Sequence, residues 1–183
     1  MEEAARMKHR KTVNQEMADL FQHFGERKEP SIVSLSEPWI YKIWDTNQKF
    51  IFLKDSTLVA GPQQNSNSEV QLIAVTPNQA LDSSKRPLFM GTKDKKYLLS
   101  VKAGGQPQLQ LVAGDIMELY NKKEESMAFT FFNQTKGSEV TCCFESAASP
   151  GWFLSTASES NKPVALSQGG GSDITLFYIE RKE

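Results

Sequence analysis

From residue 38 onward the chain is written in short apolar runs rich in β-branched and aromatic residues. The runs are Trp39-Ile40-Tyr41, Phe50 to Leu53, Leu58 to Ala60, Val70 to Val75, Leu88 to Met90, Tyr97 to Val101, Leu109 to Val112, Phe129 to Phe132, Val140 to Phe144, Trp152 to Leu154, Val164 to Leu166 and Ile174 to Ile179. Turn-forming stretches separate them, among them Lys54-Asp55-Ser56, Gly104-Gly105-Gln106-Pro107 and Gln168 to Ser172. About twelve strands at a spacing of roughly eight to twelve residues predict an all-β barrel or sandwich.

Internal similarity narrows that choice. Residues 50–60 read as an apolar strand, a polar turn and a strand ending Leu58-Val59-Ala60. Residues 97–113 repeat the pattern and end Leu111-Val112-Ala113, and residues 152–166 end Val164-Ala165-Leu166. Three comparable hairpins about fifty residues apart suggest a pseudo-threefold β-trefoil. One interruption is helical: Asp115 is a good N-cap, and Ile116 to Tyr120 read as a single turn at the end of a strand.

Residues 1–33 differ in character. A basic cluster, Met7-Lys8-His9-Arg10-Lys11, precedes Val13, Met17, Leu20, Phe21 and Phe24, which share one helical face. Gly25 ends the pattern, and Glu29-Pro30 opposes its continuation. So short a helix is marginal in water by itself, so the expectation is a pro-segment, partly helical or disordered, over 1–33 and a trefoil domain over 34–183. The first residues lack the apolar run of a signal peptide, and no stretch of about 18 apolar residues suggests membrane insertion.

The chain has 183 residues, a formal net charge of −1 and a sequence pI near 6.2, so no global field favours nucleic acid. The two cysteines, Cys142 and Cys143, are adjacent. Their Cα atoms are about 3.8 Å apart, short of the usual disulfide span, so two reduced thiols on opposite faces of a strand are expected. Folding in a reducing compartment follows.

Catalytic chemistry is hard to assemble from this composition. Both histidines, His9 and His23, lie in the N-terminal segment, so the trefoil has no Ser-His or Cys-His pair and no histidine-ligated metal site. Gly169-Gly170-Gly171 lacks the Lys-Ser/Thr and the helix of a phosphate-binding loop and reads as a flexible turn. Glu118, Glu124, Glu125 and Glu139 read as solvated surface, with no pair set up to split its pKa values. The basic clusters at Lys93 to Lys96 and Lys122-Lys123 suit a protein partner's acidic patch. A non-enzymatic monomer without cofactor or metal is expected.

Residues 144–154, Phe-Glu-Ser-Ala-Ala-Ser-Pro-Gly-Trp-Phe-Leu, resemble the interleukin-1 family signature F-E-S-A-x-x-P-G-W-F. Pro150-Gly151 makes its tight turn, while Phe144, Trp152 and Phe153 suit the trefoil core. Ile43-Trp44-Asp45, Asn47-Gln48-Lys49 and Leu58 to Gly61 are similar to the start of the interleukin-1 receptor antagonist. Gln106-Pro107, Leu109-Gln110-Leu111 and Asp115 to Tyr120 are similar to the interleukin-36 group and its antagonist. The resemblance covers roughly 40–183 and omits the N-terminal segment.

The resemblance implies a β-trefoil cytokine made in the cytoplasm without a signal peptide and released by an unconventional route. Its partners would be an interleukin-1-type receptor with immunoglobulin-like domains, an accessory receptor chain in the case of an agonist, and a processing protease. The interleukin-36 group is trimmed nine residues before an aliphatic-x-Asp motif. Ile43 and Asp45 match that motif, which implies cleavage between Val33 and Ser34. Receptor-facing segments implied by the family are 34–42 (Tyr41, Lys42), the loop 76–87 (Asn78, Asp82), the Lys122-Lys123 turn and 169–176 (Asp173, Leu176). Signalling members commonly carry aspartate at the position before Phe177, and the interleukin-1 receptor antagonist carries lysine; Leu176 matches neither, leaving agonist and antagonist both open. The alternatives are a carbohydrate-binding trefoil, whose Gln-x-Trp repeat is absent, an intracellular interaction protein directed to the nucleus by its basic cluster, and a trefoil protease inhibitor.

Overall fold

The computed structural model describes residues 11–25, 37–62 and 70–182, and every structural statement below concerns those residues. Helix α1 (Val13–Gly25) is followed by strands β1 (Trp39–Asp45), β2 (Phe50–Lys54), β3 (Thr57–Gly61), β4 (Ile73–Pro77), β5 (Pro87–Thr92), β6 (Lys96–Ala103) and β7 (Gln106–Ala113). Helix α2 (Ile116–Lys122) then leads to β8 (Thr130–Thr135), β9 (Cys142–Ser146), β10 (Phe153–Ser155), β11 (Lys162–Pro163), β12 (Ala165–Ser167) and β13 (Phe177–Lys182).

Six strands close a ring through antiparallel pairs in the order β1, β13, β9, β8, β5, β4 and back to β1. Each third of the chain adds a hairpin to one barrel strand: β2–β3 from β1, β6–β7 from β5, and β10–β12 from β9. This is a β-trefoil, and its three hairpins are the three repeats read in the sequence. The first two turn through two-residue loops, Asp55-Ser56 and Gly104-Gly105, with positive φ at both positions. Such loops carry the right-handed twist that matches the flanking strands.

Alternation along the strands assembles the core. Tyr41, Ile43, Ile73, Val75, Leu88, Met90, Phe131, Phe144 and Phe177 join one buried cluster with the hairpin residues Ile51, Leu58, Leu98, Leu154 and Val164. The alternate residues of β4 and β5 are buried too, because α2 covers that face: Ala74 and Phe89 pack with Ile116 and Leu119. Hence the uninterrupted burial of both strands.

The differences from the sequence reading have local causes. The β4 strand begins at Ile73, not Val70, and Gln71 bonds to Ile51 through its backbone without joining a ladder. Residues 174–176 contribute an isolated bridge, Ile174 to Thr156, before β13 begins at Phe177. The two-residue strand β11 exists only through its pairing with β3. Helix α2 outgrows a single turn and runs to Lys122, with Asp115 and Glu118 forming a reciprocal capping box.

The N-terminal segment takes the helical form. Val13, Met17, Leu20 and Phe24 are at most 2% exposed and belong to the main core cluster, so tertiary packing supplies what the isolated helix lacks.

Candidate functional site

The signature loop is a structural lock. Ser149-Pro150-Gly151-Trp152 forms a β-turn in which Trp152 N donates to Ser149 O at 3.1 Å. Gly151, at φ +87°, supplies the left-handed position that follows proline in a type II turn. Gly151 N donates to Glu145 Oε2 at 2.7 Å, Ser149 N donates to Ser146 Oγ at 3.1 Å, and Ser146 N donates to Trp152 O at 2.8 Å. Phe144 and Leu154 reach the core and Trp152 packs against it, while Phe153 points the other way, toward Lys136. Phe153 is therefore not the core residue its size suggested.

The aliphatic-x-Asp motif is likewise built into the barrel. Ile43 is a core residue and Asp45 is fully buried. Asp45 Oδ1 accepts from the backbone N–H groups of Asn47 and Lys49, both at 2.9 Å, which shapes the β1–β2 turn. Its Oδ2 accepts from Thr156 Oγ1 at 2.5 Å and lies 2.8 Å from the Lys49 ammonium, which it pairs by charge rather than through an aligned hydrogen bond. Val33 and Ser34 lie outside the described residues.

The other candidates divide by burial. Asp82, Lys122, Lys123 and Asp173 are exposed, while Lys42 and Leu176 are half-buried. Lys42 Nζ sits 4.7 Å from the centre of the Phe50 ring, and Leu176 O accepts from Thr46 N. Asp82 caps the 3-10 turn Ser83–Lys85, and the N–H and hydroxyl of Ser84 hold its carboxyl below the usual range.

Two candidates are corrected. Asn78 is 1% exposed; its amide donates to Glu125 O at 2.7 Å and Thr130 Oγ1 at 2.9 Å, and its Oδ1 accepts from Ala80 N. It clamps the loop after β4 to the turn after α2. Tyr41 is 1% exposed and donates to Glu16 Oε2 of helix α1 at 2.7 Å; burial and that carboxylate push its phenol well above the ordinary range. Neither side chain offers a surface in the full chain.

The exposed and half-buried candidates fall toward the two ends of β1, with Lys42 on the strand between them. The Asp82 loop and the Lys122-Lys123 turn are joined by Asn78 at the end of the barrel where β1 begins. Leu176 lies beside the β1–β2 turn where β1 ends, and Asp173 precedes Ile174, whose backbone pairs with Thr156.

Cys142 and Cys143 are unbridged and buried. Burial pushes the Cys142 thiol up to about 12 and raises Cys143 as well, so neither is poised as a thiolate. Among the described residues no group of three or more His, Cys, Asp or Glu could hold a metal ion, and no helix is long and apolar enough to cross a membrane.

A sequence profile of the family described as Interleukin-1 / 18 matches residues 62–179. The interleukin-36 receptor antagonist protein of Homo sapiens is 37% identical over 153 residues, covering 80% of this chain and 97% of its own length. The interleukin-1 receptor antagonist protein of Equus caballus is 37% identical over 150 residues, 78% of this chain and 79% of its own. Among solved structures, chicken interleukin 1 beta superimposes with a TM-score of 0.66 at 28% identity, covering 79% of this chain and 97% of its own. The pro-inflammatory cytokine interleukin-36alpha gives 0.64 at 30%, covering 78% and 94%.

Proposed function

Since this chain belongs to the interleukin-1 family, we propose that it is an extracellular cytokine that binds an interleukin-1-type receptor and modulates inflammatory and innate immune signalling. The observation that carries the reading is an identity of 37% along 97% of the human interleukin-36 receptor antagonist. The closed trefoil and the signature loop that locks β9 to β10 support it. The protein acts by binding rather than by catalysis. Two buried, unbridged thiols suit folding in the reducing cytoplasm before release by an unconventional route.

The receptor-facing surface combines Asp82 and Lys122-Lys123 at one end of the barrel with Lys42, Asp173 and Leu176 along and beyond β1. The interfacial polar rim would use the charged members for encounter and register. Leu176 can neither pair with nor repel a charge on an accessory chain, so the outcome of binding rests on its neighbours. Trimming between Val33 and Ser34 yields the mature terminus.

The test is a binding screen of the full chain and of the chain beginning at Ser34 against soluble receptor ectodomains, repeated with the accessory chain. Saturable binding to one receptor supports the reading. A ternary complex marks an agonist and binary binding alone an antagonist; binding to no member of the set rejects the proposal. Receptor potency of chains beginning at Met1, Ser34 and Ser36 checks the trimming, and equal potency for all three overturns it.

A further inference from the structure

The end of the barrel away from the hairpins is a seat for an amphipathic helix, and α1 fills it. The anchors Val13, Met17, Leu20 and Phe24 follow the 4, 3, 4 spacing of a helix lying in an apolar groove. Phe24 packs edge-on to Tyr120 with ring centres 5.3 Å apart, and His23 meets Trp39 at 5.1 Å.

The polar fastenings are equally specific. Val13 N, one of the orphan donors of the first turn, donates to Glu139 O at 2.8 Å. At the other end Phe24 O accepts from Tyr120 Oη at 3.2 Å and from Gln79 Nε2 at 3.3 Å. Asn14 Oδ1 accepts from Thr135 Oγ1 at 2.8 Å and from the Arg86 guanidinium. Glu16, only 7% exposed, takes the Tyr41 hydroxyl. The barrel thus meets Val13 N and Phe24 O, two helix-end groups without intrahelical partners, while Thr12 Oγ1 of the segment itself accepts from Gln15 N at 3.1 Å.

Building on the trimming reading, we infer that cleavage before Ser34 does not remove the helix: α1 remains seated as a non-covalent plug of the barrel. The cut frees a new terminus at residue 34 for a receptor, while Tyr41 and the core behind it stay covered. The physical reason is that severing the connection alters none of these contacts. It removes only the tether, and the advantage of covalent linkage is an effective concentration on the order of millimolar.

The test uses the full chain with a recognition sequence for a site-specific protease placed within residues 26–33. After complete cutting at about 10 µM, a concentration where micromolar affinity holds a complex together, gel filtration and native mass spectrometry read the composition. The expected result is a one-to-one complex of the two fragments with unchanged far-ultraviolet circular dichroism. Leu20→Glu should release the segment on cutting, whereas Ala18→Glu, on the exposed face, should retain it. Departure of the segment from the cut wild-type chain overturns the inference, whether the barrel stays folded or unfolds. No receptor enters the assay, so a failure here is distinct from a failure of trimming to change potency.

Discussion

The buried Asp45 carboxylate holds two backbone donors, the Thr156 hydroxyl and the Lys49 ammonium, whose side chain is itself only 5% exposed. Removing one partner of such a pair strands a buried charge, which costs about 3–5 kcal/mol. Asp45→Ala should therefore lower the urea midpoint by that equivalent at an unchanged slope, and adding Lys49→Met should recover part of the loss. If Asp45→Ala is neutral, the motif owes its role to something other than this lock. The cysteines allow a second test at the same scale. Both should resist alkylation at pH 8 in the folded chain and react rapidly in denaturant, because burial holds them as thiols. Residue types announced these features only partly. Adjacency in sequence was enough to argue against a bridge between Cys142 and Cys143, but polar character made Asn78 and Tyr41 look superficial. Their partners, Thr130 and Glu16, lie far away along the chain.

At the scale of single elements, helix α1 shows how far periodicity reaches. The spacing of Val13, Met17, Leu20 and Phe24 declared an apolar face, and Gly25 marked its end. What that face meets was invisible, since amphipathicity is a property of one segment and docking is a property of two. Leu20 is 0% exposed, so Leu20→Ala in the full chain should cost about 2–5 kcal/mol in denaturant unfolding. Ala18→Ser on the exposed face should stay within about 0.5 kcal/mol. A neutral Leu20→Ala would mean that the helix is not part of the cooperative unit. Helix α2 offers the converse case. Its capping residues, Asp115 and Glu118, are local in sequence, so its start was legible, whereas the packing of Ile116 and Leu119 over Ala74 and Phe89 was not. Asp115→Ala should cost about 1 kcal/mol by thermal or denaturant unfolding. Strand β11 lies at the opposite extreme, since Lys162 and Pro163 carry no strand pattern and pair only because β3 is alongside.

Across the whole molecule, burial of acidic groups in their neutral form sets an alkaline limit. The Cys142 thiol rises from 9.0 to about 12 in the folded chain, and the Tyr41 phenol is raised as well. For a raised pKa, stability is fully present below the unfolded value and is lost as pH climbs toward the folded one. Stability should therefore hold to about pH 9 and then fall toward pH 12. Cys142 alone accounts for a decline on the order of 4 kcal/mol, at about 1.4 kcal/mol per pH unit. Chemical denaturation at pH 8, 9.5 and 10.5 checks this, and Cys142→Ala should flatten the decline relative to the parent. The fold at this scale was legible because the strands other than β11 are local patterns punctuated by turn residues, and the hairpin pattern came three times. The signature from Phe144 to Leu154 also named the family, since it encodes a self-contained turn, from Pro150-Gly151 back to Glu145. What only the tertiary structure decided was pairing between distant parts. It closed β1 against both β4 and β13, buried Asp45 and Tyr41, and seated α1 in the barrel's open end. Local sequence specifies backbone conformation and which face is apolar; the partner a face finds is a free-energy balance over the entire chain.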